Sequence, residues 1–101
     1  MRTGIIYIAI NKINGKGYIG QTRSSLERRR KQHERDYRFM RGLHGAIKKY
    51  GKENFEWQVI FENIIQQSEL DLAEDWAIWN YMTLVPSGYN LKNGGKTGGV
   101  S

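Results

Sequence analysis

The chain has 101 residues, a formal net charge of +6 and no cysteine. That length supports one compact core rather than two. The absence of cysteine excludes a disulfide framework and a thiolate metal site and accords with a reducing, cytoplasmic setting, while no apolar run approaches the roughly eighteen residues of a membrane span and the N-terminus has no secretory signal.

Charge is unevenly divided. Residues 1–52 hold fourteen Lys/Arg against three acids, and residues 53–101 hold two against seven. A basic lobe beside an acidic one points to a polyanion on one face. The plainer alternative is a solvated basic surface.

Residues 4–11 are apolar and β-branched and predict a strand. Asn14-Gly15 tolerates positive φ, and Tyr18-Ile19-Gly20 follows, which predicts a hairpin. Alternation sets Tyr7 on the face of Ile5 and Ala9, opposite Ile6, Ile8 and Ile10. The second set makes the better core, so Tyr7 is expected to point toward a surface or cleft.

Ser24 and Glu27 stand at capping-box spacing and predict a helix from there to about Tyr37. Leu26, Arg29, Arg30, His33 and Tyr37 share one of its faces, with Arg28, Lys31 and Arg35 on the other. A second short helix spans 43–50 and stops at Gly51. Asn54 to Phe61 alternates Phe55, Trp57, Val59 and Phe61 with polar positions, a half-buried third strand. Ser68, with Asp71 three residues on, opens a helix to about Thr83. Its apolar stripe is Leu70, Ala73, Ala77, Tyr81 and Leu84, with Ile78 at the margin and Trp76 and Trp79 off it. Residues 1–95 are expected to form the domain, and the glycine-rich 96–101 a tail or linker start.

Glu74 falls in the middle of that last stripe. A buried carboxylate without a partner costs several kcal/mol, so Glu74 must be paired, hydrogen-bonded, protonated or metal-bound. A salt bridge to a first-helix arginine is the structural alternative to a metal ligand or acid–base group. Arg29 and His33 lie one turn apart; Tyr7 and Tyr18 by themselves read as packing, Asn90 as turn chemistry, and His44 has no evident partner.

Order and spacing carry more than any one residue. Tyr18-Ile19-Gly20 is intact, and Ile5-Ile6-Tyr7 precedes it with Gly4 one place earlier than the expected glycine. Leu26 to His33 carries an arginine four residues before a histidine, with Arg28 as the competing register. Residues 46–55, Glu74 with Ile78 and Thr83-Leu84, and Gly88-Tyr89-Asn90 complete the pattern, with Ala77 where a tryptophan is often found. Over residues 4–95 the chain resembles the GIY-YIG endonuclease family, whose members include homing endonucleases, some restriction enzymes and the nuclease module of nucleotide-excision repair.

The resemblance implies an α+β fold with a three-stranded antiparallel sheet flanked by helices, which agrees with the strand–strand–helix–helix–strand–helix reading. It implies a metal-dependent endonuclease, most simply the catalytic domain of a homing-type enzyme, leaving 5′-phosphate and 3′-hydroxyl ends on double-stranded DNA. Catalytic roles fall on Tyr7, Tyr18, Arg29, His33, Glu74 and Asn90, with Glu74 holding one Mg²⁺ or Mn²⁺ ion. Tyr7 would act as general base, Arg29 on the phosphate, and Asn90 at the site's edge or on a phosphate. Lys16, Arg23, Arg28, Lys31, Arg35, Arg38, Lys48 and Lys49 would contact the DNA backbone. The alternatives are a repair- or restriction-type nuclease, a nucleic-acid-binding module without catalysis, or a partner-binding domain that uses Trp76 or Trp79. The sequence leaves the oligomeric state open, a monomer being one expectation.

Overall fold

The run of residues 4–11 alternates between two sets of apolar side chains, and both sets are covered because this strand is the middle one. In a computed structural model, which describes residues 2–35 and 42–91, strand β1 (Gly4–Asn11) lies between β2 (Gly17–Thr22) and β3 (Phe55–Ile64), antiparallel to both. Helix α1 (Leu26–Arg35) and helix α2 (Gly42–Tyr50) connect β2 to β3, and helix α3 (Gln67–Tyr81) follows β3. The fold is the α+β arrangement expected from the sequence. Among the described residues no helix is long and apolar enough to cross a membrane. The tail at 96–101 lies outside the described residues.

One sheet face packs Ile6, Ile8 and Ile19 against Leu70, Ala77 and Ile78 of α3. The other packs Ala9 and Phe55 against Leu43, Ala46 and Ile47 of α2, with Tyr18, Tyr50, Trp57 and Tyr89 around them. Each isoleucine, leucine or phenylalanine among them contributes about 1.5–3 kcal/mol on full burial. The second core corrects the placement of Tyr7. Its face is not open to a cleft: α1 and α2 cover it, and Tyr7 is 0% exposed.

The hairpin turn is longer than a two-residue one. Asn11 Oδ1 accepts from the Ile13 amide and Asn14 Oδ1 from the Lys16 amide, while Gly15 takes φ of +79°. These side chains replace the main-chain partners the loop lacks.

Local signals mark the helices correctly but misplace some ends. The Ser25 hydroxyl, not that of Ser24, caps α1 by accepting from the Arg28 amide. Ser24 bonds Thr22 instead. In α3, Ser68 lies inside the first turn, and the helix starts after an extended Gln66 with no side-chain cap. The helix ends at Tyr81 because Met82 turns left-handed, with φ of +54°. Its buried stripe is Leu70, Ala77 and Ile78, while Tyr81 is exposed.

Strand β3 departs most from simple alternation. Its register against β1 slips between Ile6 and Tyr7 and again between Gly4 and Ile6. Each bulge turns the following residues over. Val59 therefore pairs with Tyr7, whereas Phe61 pairs with Ile6 on the α3 side and meets the Trp76 ring at 5.5 Å.

The free edge of β2 is closed by the segment after α3. Tyr89 donates its amide to the Gly17 carbonyl at 2.8 Å. Asn90 Oδ1 accepts from the Ile19 amide at 2.8 Å, and its Nδ2 donates to the Ile19 carbonyl at 2.9 Å. One side-chain amide thus stands in for a fourth strand and satisfies an edge that would otherwise be open.

Candidate active site

The Tyr7 hydroxyl is the hub of a polar cluster on the α1/α2 side of the sheet. It lies 2.8 Å from His33 Nε2, and His33 Nδ1 lies 3.0 Å from Nε2 of His44. The contacts are mutually consistent with His33 protonated on Nδ1: the phenol donates to Nε2, and Nδ1–H donates to His44. Arg29 Nε also reaches the phenol oxygen, at a longer 3.4 Å, and its Nη1 donates to Gln32 at 3.1 Å.

Sequence explains how these groups meet. Arg29 and His33 are four apart on α1, so both look inward from one face. Arg28, the competing register, is exposed. Gly20 pairs with Tyr7 across the hairpin. A Cβ at Gly20 would collide with the Tyr7 hydroxyl and ring, so the glycine is what lets that ring cross β2 toward α1. Ile5, standing where the family pattern has glycine, is half-buried beside a groove lined by Arg2, Arg23, Ser24 and Arg28, which has room for it.

Rings wall the cluster. Tyr18 meets His33 edge-on at 5.5 Å, and its own ring lies 6.4 Å from Tyr7. Trp57 of β3 lies 6.0 Å from Tyr7 and 5.7 Å from His33, each at 30°. His44 and Trp57 were not singled out as site residues from sequence. His44 sits beside the apolar face of α2, and nothing local signals its contact with α1. Trp57 shares the face of Tyr7, but only the β1–β3 pairing brings the two together.

Glu74 lies half-buried on α3, across strand β2 from the tyrosines. Its Oε1 accepts from Gln21 Nε2 at 2.6 Å, and the same nitrogen donates to Asp71 Oδ1 at 3.0 Å. The hydrogen bond to Gln21 is one of the means by which a carboxylate can be held in this stripe. Two carboxylates converging on one amide form an all-oxygen donor set suited to a hard divalent cation. Among the described residues no three His, Asp or Glu side chains form a metal cage, so such an ion would rely on Glu74, with Asp71 nearby, and otherwise on water and phosphate oxygens.

Burial pushes both phenols above the ordinary tyrosine value. For Tyr7 the neighbouring Tyr18 adds to the rise and Arg29 opposes it. For Tyr18 the Glu74 charge adds and Arg29 opposes. Raised acids of this kind favour the folded state below about pH 10 and lose that contribution as pH climbs through their folded values. Absorbance at 295 nm should therefore show Tyr7 and Tyr18 ionising later than the exposed tyrosines, and Tyr7→Phe and Tyr18→Phe should each diminish the late phase. A single phase near pH 10 in the folded protein would contradict the burial.

The other candidate residues divide. Arg28, Lys31 and Arg35 are exposed and line one groove with Lys52. Lys48 and Lys49 are exposed on α2, and Lys49 lines a second groove with Lys16, Tyr50 and Tyr89. Arg23 is engaged internally: its guanidinium donates to the carbonyls of Arg2 and Ile65 at 3.0 and 2.9 Å. Asn90 has both polar atoms on the Ile19 backbone, next to Tyr18. Arg38 lies outside the described residues.

Comparison with known proteins adds to this geometry. The family model described as GIY-YIG catalytic domain matches residues 3–84. An MSV199 domain-containing protein of Invertebrate iridescent virus 6 is 38% identical over 96 residues, which is 92% of this chain and 39% of that protein. The chain therefore spans about two-fifths of that curated relative. Among solved structures, the catalytic domain of intron endonuclease I-TevI in a glutamate-to-alanine variant superposes with a TM-score of 0.77 at 23% identity, covering 94% of this chain and 98% of that one. The catalytic domain of homing endonuclease I-TevI gives 0.74 at 24% identity, covering 87% and 97%. At these identities the two structures speak for the fold.

Proposed function

The chain belongs to the GIY-YIG catalytic domain family, and from that membership we propose that it is a metal-dependent DNA endonuclease domain of the homing type, hydrolysing phosphodiesters to 5′-phosphate and 3′-hydroxyl ends. The observation that carries the proposal is the Tyr7–His33–His44 chain beside Arg29, with Glu74 across β2.

A buried phenol is a poor base until something takes its proton. His33 Nε2 is placed to do so at 2.8 Å, and the proton at Nδ1 then has His44 to move to. The resulting phenolate accepts a proton from the attacking water. Arg29 touches Tyr7 only through Nε at 3.4 Å, which leaves much of its fork for non-bridging phosphate oxygens as charge builds there. The phenol oxygen is buried beside this guanidinium, so for water to reach it the Arg29 fork would have to swing outward onto the docked phosphate. Glu74 would hold one Mg²⁺ or Mn²⁺ ion, which when bound supplies positive charge for the scissile phosphate and the leaving 3′ oxygen. Asn90 keeps β2, and with it Tyr18, in register. Exposed Arg28, Lys31, Arg35, Lys48 and Lys49 would bind phosphates along double-stranded DNA without reading sequence.

The test is incubation with supercoiled plasmid in Mg²⁺, Mn²⁺ or EDTA. Nicked circles that appear with either ion, vanish in EDTA and are resealed by DNA ligase are expected. A protein that shifts the plasmid on a gel yet leaves it supercoiled in both ions would be a binding module without catalysis.

A further inference from the structure

We propose that Trp57 is a positioning residue of this centre: its indole face holds the His33 ring in line with the Tyr7 hydroxyl and favours His33 as the imidazolium that forms when the phenol gives up its proton. The inference rests on the nuclease reading of the site and deepens it.

Three observations carry it. Among the described residues Trp57 is the one side chain whose ring lies within 30° of both partners in the proton transfer, stacked on Tyr7 at 6.0 Å and tilted against His33 at 5.7 Å. A cation within about 6 Å of an indole face is attracted to it, most strongly where water is excluded, and His33 is buried. Finally, the buried Trp57 Nε1 has no hydrogen-bond partner among the described residues. A buried indole usually finds one. Here the ring's placement serves stacking rather than its N–H.

The step itself is a simple transfer. The Tyr7 O–H bond breaks, a bond forms from that proton to His33 Nε2, and charge separates into a phenolate and an imidazolium. Among the described residues, Tyr7 on β1, Tyr18 on β2, His44 on α2, Trp57 on β3 and Arg29 on its own helix stand around His33, with the Glu74 charge reaching the tyrosines from α3. The cation Arg29 opposes a second positive charge. The Trp57 face offsets part of that opposition without adding an acidic group that would compete for the proton.

The experiment compares Trp57→Leu with Trp57→Phe, following the ring signals of the two histidines by NMR from pH 5 to 8 in the free protein. In Trp57→Leu the His33 midpoint should fall by about half a unit to one unit. On the same scale, kcat near pH 7 should fall up to about tenfold with KM within about twofold. Trp57→Phe, which keeps a π face, should restore most of both. An unmoved His33 midpoint in folded Trp57→Leu would overturn the proposal, as would Trp57→Phe behaving like Trp57→Leu. If the wild-type domain cuts no DNA, the nuclease reading falls while the titration still decides the role of Trp57. If Trp57→Leu does not fold, the double variant Trp76→Phe/Trp79→Phe leaves Trp57 as the single reporter, since both replaced residues are exposed. Its emission should then change with the His33 midpoint, and a flat emission across that range would reject the stack.

Discussion

Glu74→Ala is expected to abolish plasmid nicking in Mg²⁺, a loss of roughly a thousandfold or more, while DNA binding is retained. The size follows from the role proposed for the carboxylate: a metal at the scissile phosphate is worth several kcal/mol in the transition state, and each 1.4 kcal/mol is about tenfold in rate. Retained binding follows from charge. The loss of one ion at the scissile phosphate is offset in part by the loss of the carboxylate's own repulsion, and the exposed cations of α1 and α2 are untouched. The fold should survive, because the Gln21 amide that Glu74 accepts from also donates to Asp71. Glu74→Gln keeps the shape and loses the charge, so it should be as inactive as the alanine variant. Gel-shift titrations run beside nicking assays separate the outcomes. Cleavage by Glu74→Gln within tenfold of wild type would remove Glu74 from the metal site, and parallel loss of binding and cleavage would make it structural.

Much of this arrangement is legible in the sequence, and its illegible parts have definite causes. Local periodicity places Tyr7, Arg29, His33 and Glu74 on particular faces, and the resemblance to the GIY-YIG family is what singles them out as a set. Periodicity reports a face, not what covers it. Alternation makes the Ile6/Ile8/Ile10 set the better core and so sends Tyr7 to a surface or cleft. The middle position of β1 instead gives the domain two cores, and strand order is a property of tertiary pairing. Phe61 changes face for the same reason: a bulge is a relation between two strands. His44 and Trp57 enter the site only through contacts between elements, α2 with α1 and β3 with β1. Asn90 shows a different limit. Its place beside Gly88-Tyr89 suggested turn chemistry or the site's edge, and only the structure shows its amide completing the ladder of β2.

Tyr7→Phe is expected to lower the cleavage rate by about 10²–10⁴-fold, the range for loss of a general base, with much smaller changes in stability and DNA affinity. The ring would remain where it is, since it is fully buried, opposite Gly20 and beside the rings of Tyr18, His33 and Trp57. The lost oxygen leaves His33 Nε2 and Arg29 Nε without that partner. Leaving such groups unmet in a buried setting costs on the order of 1–3 kcal/mol, a visible shift in denaturation midpoint but not unfolding. Affinity for DNA should stay within a few-fold, because the hydroxyl is buried and the cations proposed to bind phosphate are not. Single-turnover cleavage, gel shift and denaturant melts on one preparation test all three parts. The comparison with Glu74→Ala makes the result diagnostic. Activity lost in Glu74→Ala is lost at every pH, because the missing group does not donate a proton. Activity remaining in Tyr7→Phe should rise with pH as hydroxide replaces the activated water, narrowing the gap to wild type above neutrality. If Tyr7→Phe instead cuts within about threefold of wild type at neutral pH, the proton of the attacking water leaves by another route, and the His33–His44 pair serves packing rather than relay.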